Sequence, residues 1–388
     1  QAAPQSAHSL QVCPAVQTRA PASVGKEQLV GVNASAWGSV LELWEGHASD
    51  PEIRFQGSSG GVLSALSLFC LESKGFHGVL HIGQDPEDPL HNRTSLSRSR
   101  SNLLQKTGSR YAPAAACDRL DLIENAPAPC VFIGQPSEVC ALQRVRALRP
   151  ALDSKVGLTL SFFCAGSPAR LGTIKLLEKL GIDPEQVGDL RYRGRGWPGM
   201  FSVTLKGETR PTRQITYAES WGFVQAYRPW SVQLWPDGTG EWADISCGDA
   251  WHRTPQPGDL GSSLILIRTE RGRAIFREAV AAGYVEVKPA TPEMLAHAAA
   301  GLLRKKRAIW GRLATMRLFG LPAPRHRGQH LFRLWLGLSL KEKLRSTFGT
   351  ARRIIQRKYW QPLELQFSSE PAHDTGRPVH EPGLKECR

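Results

Sequence analysis

The chain has 388 residues and a formal net charge of +14. The charge is concentrated, because residues 301–360 hold 16 Lys and Arg residues against one acidic residue, which leaves the rest of the chain close to neutral. This distribution does not favour a nucleic-acid-binding body, and the lack of an apolar run of about 18 residues argues against a membrane-spanning helix.

The first predicted elements lie in the N-terminal third. Residues 1–28 are rich in Ala, Pro, Ser and Gln and are expected to form a flexible segment. A strand over 38–45, a helix over 62–74 and a strand over 78–83 follow, and such a unit usually gives parallel pairing. Residues 84–107 are expected to form a loop and then a short helix.

From residue 130 onwards, short apolar runs alternate with segments of helical periodicity. This alternation predicts an α/β fold of mixed sheets with flanking helices in two packed subdomains, plus a basic helical C-terminal extension. The predicted organisation is a flexible segment 1–28, an N-terminal domain 29–125, a C-terminal domain 126–291, a basic helical extension 292–360 and a disordered tail 361–388.

A glycine-rich stretch directly precedes the helix 62–74 and contains Arg54, Gly57, Ser58, Ser59, Gly60 and Gly61. Glycines let the backbone approach a ligand closely, and the free N–H groups of the helix N-terminus favour a phosphate there. The alternative is a glycine turn with a serine cap before a buried helix.

Two later segments carry similar chemistry. The first places cations, a hydroxyl and an aromatic ring within six positions, at Lys106, Ser109, Arg110 and Tyr111. The second follows a predicted strand and precedes a helix, at Gly134, Gln135 and Ser137. The first could also be a basic loop ending in a tyrosine anchor, whereas the position of the second suits an anion at a helix N-terminus.

Taken in order with Phe162–Gly166, Arg191–Gly199 and Ala243–Trp251, these segments resemble the coenzyme F420 hydrogenase/dehydrogenase beta-subunit family, which includes 7-hydroxymethyl chlorophyll a reductase. The resemblance runs from about residue 30 to about residue 290. It implies a flavin-dependent oxidoreductase whose FAD lies between the glycine-rich stretch, the 106–111 segment and the 134–137 turn.

The resemblance implies hydride transfer through the flavin, with electrons passing to or from an iron–sulfur protein such as a ferredoxin or a partner subunit. Asp249 is a candidate proton donor, and Arg193 is a candidate for stabilising a reduced, negatively charged flavin. The alternatives are a polar turn around Asp249 and a solvated basic hairpin around Arg193.

The resemblance also implies a [4Fe–4S] cluster, but the thiolates for it are incomplete. Family cysteine positions hold Ser137, Val232 and Trp235. Cys164 and Cys247 remain as candidate ligands, with Cys140 and Cys13 as weaker ones. Because a [4Fe–4S] cluster needs about four thiolates, the sequence argues against an intact cluster. A degenerate, non-catalytic scaffold of the same fold is therefore the rival hypothesis.

The cysteine usage and the basic extension bear on location. The eight cysteines form no Cys-x-x-Cys pair, which is typical of a reduced cytoplasmic chain. Residues 301–360 combine basic and apolar side chains, so they could bind an anionic membrane surface, with a peripheral location at the inner membrane, or an acidic partner. The alternative is a helical hairpin packed on the body. Nucleic-acid binding rests on charge alone.

Overall fold

The computed structural model describes residues 10–22 and 27–361. Within them the strands are β1 (Gln17–Arg19), β2 (Glu42–Ala48), β3 (Gly78–Gln84), β4 (Asn92–Ser97), β5 (Cys130–Gly134), β6 (Val156–Phe162), β7 (Val187–Arg191), β8 (Met200–Leu205), β9 (Arg213–Thr216), β10 (Ile245–Asp249), β11 (Ser263–Ile267), β12 (Val285–Pro289) and β13 (Arg325–Arg327).

The α-helices of the same residues are α1 (Ala34–Trp37), α2 (Pro51–Gln56), α3 (Val62–Ser73), α4 (Arg100–Leu104), α5 (Asp121–Glu124), α6 (Pro136–Arg146), α7 (Pro150–Lys155), α8 (Arg170–Lys179), α9 (Tyr217–Val224), α10 (Glu270–Ala281), α11 (Pro292–Ala298), α12 (Ala300–Leu318), α13 (Leu331–Leu336) and α14 (Leu340–Arg357). Short 3-10 helices cover Ala116–Arg119, Pro184–Gln186, Gln225–Tyr227 and Trp230–Gln233.

The central element is a mixed eight-stranded sheet in the order β12-β2-β11-β10-β6-β5-β3-β4. The adjacent strands β10, β6, β5 and β3 run parallel to one another, and β2 has the same direction because β11 is antiparallel to both β10 and β2. Helices cover both faces around separate apolar clusters. The predicted mixed α/β fold is therefore confirmed.

The expected pairing of the first strand–helix–strand unit is wrong in one respect. β2 and β3 share a direction, but four strands separate them in the sheet. The apolar run of β11 is buried at every residue, as is typical of a strand in the middle of a sheet, and it takes the place beside β2. Strands from both sides of the boundary predicted at residue 125 thus enter one sheet.

The segment expected to be loop and helix over 84–107 instead contains a strand. β4 pairs antiparallel with β3 at the edge of the sheet, and edge strands tolerate polar, solvent-facing residues that conceal their pattern. The short helix α4 begins at Arg100, where the Ser99 side chain caps it by accepting from the Asn102 N–H.

A smaller antiparallel sheet, β7-β8-β9, lies between β6 and β10 in the chain. It packs with α8 and α9 around its own apolar cluster, which includes Leu177, Phe201 and Val224. This insertion carries Arg191 at the end of β7, with Arg193 two residues later, so it supplies guanidinium groups to the sheet edge described below.

The basic extension packs on the body. Lys306 of α12 donates from Nζ to Glu241 Oε1 at 2.6 Å and to the Ala36 carbonyl at 3.1 Å, and both side chains of the ion pair are buried. The helices α12 and α13 meet through the rings of Trp310, Phe332 and Trp335. The alternative of a helical hairpin packed on the body therefore describes the extension.

The N-terminal segment expected to be flexible is ordered in part. β1 pairs in parallel with β13, and Thr18 Oγ1 lies 2.8 Å from His326 Nδ1. Residues 1–9 and 23–26 of that segment lie outside the described residues, as does the predicted disordered tail 361–388 apart from residue 361. None of the helices in the described part of the chain is long and apolar enough to cross a membrane.

Candidate functional site

The predicted site segments converge on one edge of the large sheet. β2, β3, β5, β6 and β10 all end at this edge, because they share a direction. The loops that follow them include the glycine-rich stretch, the 134–137 turn and the residues around Asp249. In open α/β sheets, ligands bind outside the carboxyl ends of the strands, so this edge is the expected place for a site.

The glycine-rich loop is held by the sheet itself. The Gly60 N–H donates to Ser263 Oγ at 3.0 Å, and Ser59 Oγ donates to the Ser262 carbonyl at 2.8 Å. A Cβ on Gly60 would lie 2.7 Å from the Gly46 carbonyl oxygen and 2.9 Å from the Ser263 nitrogen. Close backbone packing therefore requires glycine at position 60, and the donors of Ser59 and Gly60 already have partners within the chain.

The remaining positions of this stretch are also structural in part. Arg54 donates from Nε and Nη2 to the Gly261 carbonyl, at 3.2 and 3.0 Å. Gly61 has a φ of 75° and directly precedes α3, and a Cβ on Gly57 would lie 3.0 Å from the Gly61 Cα. Ser58 is different, because its Oγ accepts the Ser109 N–H at 2.6 Å and thereby joins this loop to the 106–111 segment.

A cleft of about 240 Å³, open to solvent, lies beside this junction. Its lining residues are Gln84, Pro86, Gln105, Lys106, Thr107, Gly108, Ser109, Arg110, Asp189, Leu190 and Arg191. Gly108 has a φ of 107°, and a Cβ there would lie 3.3 Å from Arg191 Nη2. The structure thus places the 106–110 segment in the wall of a cleft beside the glycine-rich loop.

The cleft contains cations with incomplete pairing. Arg191 Nε is buried and has no hydrogen-bond partner among the described residues. Burial, and then the nearby Arg195, lowers the pKa of Arg191 to about 10, while Asp189 opposes that shift. Burial also lowers the pKa of Lys106. A partly desolvated guanidinium with an unused donor fits the phosphate of a flavin or another anion.

Arg110 lines the same cleft but is fully committed to the fold. It donates to the Asn92 and Gln84 side chains, at 2.9 Å each. It also donates to backbone carbonyls of Leu190, Pro89 and His91, at 2.7, 2.6 and 3.1 Å. These five bonds tie the insertion to β3 and β4, so Arg110 holds the walls of the cleft together.

Arg193 and Asp249 form a buried pair next to an aromatic cluster. Arg193 is 2% exposed, and its Nη1 and Nη2 donate to Asp249 Oδ2 and Oδ1 at 3.0 and 2.5 Å. Trp197 Nε1 also donates to Asp249 Oδ1, at 2.8 Å. Burial alone would lower the pKa of Arg193, but the Asp249 carboxylate raises it above its usual value.

Aromatic rings surround this pair. The Arg193 guanidinium lies 4.6 Å from the Tyr217 ring centroid, and the Tyr217 ring stacks on Trp251 with centroids 5.6 Å apart. Tyr111 packs against Trp221 at 4.8 Å. The predicted residues Tyr111, Arg193 and Asp249 are therefore brought together, in an arrangement that suits electrostatic positioning better than proton transfer.

The 134–137 turn faces a different set of residues. Gln135 Oε1 accepts from Cys164 Sγ at 3.7 Å and from Ser167 Oγ at 3.4 Å. The Gln135 N–H donates to Glu138 Oε2 at 3.0 Å, in a capping box at the start of α6. The Glu138 carboxylate thus already occupies the N-terminus of α6. Gly134 and Ser137 lie on either side of Gln135 and Pro136 in this turn.

The candidate cluster ligands are dispersed. Cys247 packs in the apolar core of β10, whereas Cys164 lies in the loop after β6. Cys140 is buried in α6, where burial raises its pKa to about 12, and Cys13 precedes β1. Among the residues the structure describes, no three Cys, His, Asp or Glu side chains are grouped to hold a metal ion. The described residues do not fit a [4Fe–4S] cluster.

Other side chains fill the region around Cys164. Val232 packs against Gly166, and the Trp235 and Trp242 rings lie 5.7 Å apart. Lys305 of α12 is also near Cys164: burial lowers its pKa to about 8, and the Cys164 thiol opposes that shift. Its Nζ has no hydrogen-bond partner within the described residues.

Several of these residues could not be found from the sequence. Gln84 ends β3 and Asp189 lies in the middle of β7, and neither belongs to a motif. Tyr217 begins a helix after an ordinary cap. Lys305 belongs to a basic run that gives no sign of which lysine is buried. Arg191 did carry a signal, since it lies in an arginine-rich turn beside an aromatic residue.

Sequence profiles identify the part of the chain with known relatives. The profile for the N-terminal part of the coenzyme F420 hydrogenase/dehydrogenase beta subunit matches residues 43–120, and the profile for the C-terminal part of the same protein matches residues 129–293. Together they span the large sheet and its insertion. The extension beyond residue 293 is outside both matches.

Individual relatives agree with the profiles. The coenzyme F420 hydrogenase subunit beta of Methanococcus voltae is 27% identical over 62% of this chain and 81% of its own length. The F420-dependent formate dehydrogenase subunit beta of Methanocaldococcus jannaschii is 23% identical over 62% of this chain and 60% of its own length. A solved chain from the F420-reducing [NiFe] hydrogenase complex of Methanosarcina barkeri matches with a TM-score of 0.58 at 19% identity, covering 76% of this chain and 99% of that one.

Proposed function

The chain belongs to the coenzyme F420 hydrogenase/dehydrogenase beta-subunit family, and we propose that it is a flavin-dependent oxidoreductase subunit. The observation that carries this proposal is the cationic cleft beside Ser58 and Ser109. The unused Arg191 donor and the Lys106 ammonium give that cleft the charge that a flavin phosphate needs.

In this proposal Lys106, Gly108 and Arg191 would hold the phosphate part of FAD. When bound, the flavin would supply a hydride acceptor and donor. Arg193, fixed by Asp249, would add positive charge beside the aromatic cluster and would favour a negatively charged, reduced ring system. The substrate of the hydride transfer would bind at the same sheet edge.

Electron transfer would then need a second protein. Because the described cysteines are not grouped as cluster ligands, we assign the iron–sulfur centre to an electron-transfer partner, such as a ferredoxin or a partner subunit. The relatives named above are subunits by name, which supports a complex of this kind.

The apolar face of α14 is the surface we assign to such a partner. Leu340 and Phe348 are 72% and 69% exposed, and Leu344 and Ile355 also face solvent. Basic residues share this helix, including Lys341, Arg345 and Arg352. An apolar stripe bordered by positive charge suits an acidic protein surface, although an anionic membrane surface offers similar chemistry.

The partner assignment is tested with purified components. A ferredoxin should bind the full chain more weakly at high salt, and Phe348→Glu should weaken binding further than Lys341→Gln does. Binding of Phe348→Glu at wild-type strength would rule out this face. Sedimentation with phosphatidylglycerol vesicles, but no ferredoxin binding, would assign the face to a peripheral membrane location instead.

The flavin assignment is tested by absorbance. The purified protein should retain FAD through gel filtration and show a band near ~450 nm that dithionite bleaches. FMN in parallel shows which flavin is preferred. A folded protein that stays colourless after incubation with either flavin would contradict the proposal.

One observation favours a second candidate function, a non-catalytic scaffold of the same fold. Val232 and Lys305 fill the region around Cys164, where a redox centre would be expected from the resemblance. A colourless protein that still binds a partner would support this alternative.

A further inference from the structure

A second cavity lies where the basic extension meets the body. It has a volume of about 190 Å³, is open to solvent and is lined by Gln225, Ala226, Arg228, Trp230, Gln233, Arg312, Arg353 and Arg357. Two of its walls, α12 and α14, lie beyond the residues matched by the family profiles. The family profiles therefore cover only part of the residues that line this cavity.

Four guanidinium groups line this cavity without a carboxylate. Arg228, Arg312, Arg353 and Arg357 form no ion pair with any acidic residue in the described part of the chain. Burial, followed by the positive charge of Arg353, lowers the pKa of Arg312 to about 10. Repulsion of this kind is relieved most directly by a bound anion.

The geometry fixes part of the cluster in advance. Arg312 Nη1 donates to the Gln233 carbonyl at 2.6 Å. The Arg353 guanidinium lies 4.7 Å from the Trp230 ring centroid, and that of Arg312 lies 6.0 Å from it. The two arginines are thus held on one aromatic residue, which reduces the side-chain entropy lost when a ligand binds.

A buried donor without an acceptor gives independent support. Trp230 lines the cavity, and its Nε1 is buried with no hydrogen-bond partner among the described residues. The neighbouring Tyr359, whose ring centroid is 6.2 Å away, also has a buried and unpartnered hydroxyl. Buried indole N–H groups usually have an acceptor, so the Trp230 donor and the Tyr359 hydroxyl are available to a bound ligand.

We propose that this cavity binds a diphosphate-bearing small molecule. A diphosphate concentrates several negative charges and many acceptor oxygens in a small volume, and guanidinium forks match phosphate oxygens in pairs. A single carboxylate would leave most of the four guanidinium groups unneutralised. A volume of about 190 Å³ suits a compact group of this kind, and a concave wall that contains three half-buried arginines differs from a flat surface that binds a polymer. This proposal does not depend on the flavin assignment.

Calorimetric titration of the full chain at constant ionic strength tests the proposal, with pyrophosphate, ADP and inorganic phosphate as probes. Pyrophosphate should bind, and Arg353→Gln should weaken it by about tenfold. Arg357→Gln should weaken it by about threefold or more, since this exposed arginine loses one contact. Arg352→Gln is the matched control, because the exposed Arg352 is on the same helix and outside the cavity; it should change affinity by less than about twofold.

The probes also identify the source of the diphosphate. Tighter binding of ADP than of pyrophosphate would indicate a nucleotide, and equal binding would indicate the diphosphate group alone. The proposal is overturned if neither compound binds, if inorganic phosphate binds as tightly as pyrophosphate, or if Arg352→Gln weakens binding as much as Arg353→Gln. Unchanged melting temperatures confirm that the variants fold.

Discussion

Two regions lie at the same edge of one sheet: the cleft at Lys106 and Arg191, and the region around Cys164. They differ in how much open volume remains. The cleft keeps open volume and a buried guanidinium donor without a partner. The region around Cys164 is filled by Gln135, Val232 and the buried Lys305. One edge of the sheet therefore holds an open cationic cleft next to a region that the side chains of the protein fill.

The first prediction concerns the charge pair beside the cleft and has the largest expected effect. Asp249→Ala would leave Arg193 buried without its counter-charge, so the free energy of unfolding should fall by about 3–5 kcal/mol. Urea unfolding measures this. Asp153→Ala is the control, because it removes an exposed partner of Arg146 and should cost at most about 1 kcal/mol.

Equal losses in Asp249→Ala and the control would show that the pair is not what holds the aromatic cluster. The shape of the cleft would then depend on Arg110. The buried charge pair would not explain why the cleft differs from the region around Cys164.

The second prediction concerns the filled region. Because burial lowers the pKa of Lys305 to about 8 from 10.5, its ammonium costs stability in the folded state. Lys305→Met should therefore raise the free energy of unfolding by about 2–3 kcal/mol at pH 7. The wild type should recover this difference between about pH 8 and pH 10.5, where the unfolded chain binds more protons than the folded one.

Lys306→Met provides the contrasting control on the same helix. Lys306 pairs with the buried Glu241 at 2.6 Å, so its replacement should destabilise the chain by about 3–5 kcal/mol. If Lys305→Met were also destabilising, the Lys305 ammonium would have a stabilising partner. The region around Cys164 would then be more than a set of side chains that fill space.

The third prediction sharpens the role of the open cleft and rests on the proposed flavin function. Arg191→Gln removes the positive charge and the Nε donor that has no partner among the described residues, so the dissociation constant for FAD should rise by about tenfold, or about 1.4 kcal/mol. Flavin fluorescence quenching measures this. The exposed Arg98→Gln makes the same charge change outside the cleft lining and should leave affinity within about twofold. If both variants changed the dissociation constant equally, the flavin would not bind in this cleft.

Much of the fold could be predicted, because α3 follows a glycine turn as a continuous apolar run and the strands alternate with helices along the chain. The place of β11 beside β2 could not be predicted, since it depends on contacts between segments more than 200 residues apart. Part of the candidate site could be predicted from a local pattern, because Lys106 and Ser109 are close in sequence.

The rest of the site depends on long-range contacts that no local pattern records. The pairing of Arg193 with Asp249 joins the insertion to β10. The acceptors of the five Arg110 hydrogen bonds lie in several separate segments. The local sequence suggested a ligand role for Arg110, whereas the structure gives it a bracing role between strands and insertion.

The fourth prediction has the smallest expected effect and tests the filled region directly. Anaerobic reconstitution with iron and sulfide should leave no broad shoulder near ~400 nm, and Cys164→Ser should match the wild type in iron content. Cys117→Ser is the control, because Cys117 is another half-buried thiol, and it donates to the Glu138 carbonyl. If the wild type took up about four irons and Cys164→Ser alone lost them, the region would rearrange around a cluster. The two regions would then differ only in their unliganded state, because Val232 and Lys305 would have to move aside to admit the metal.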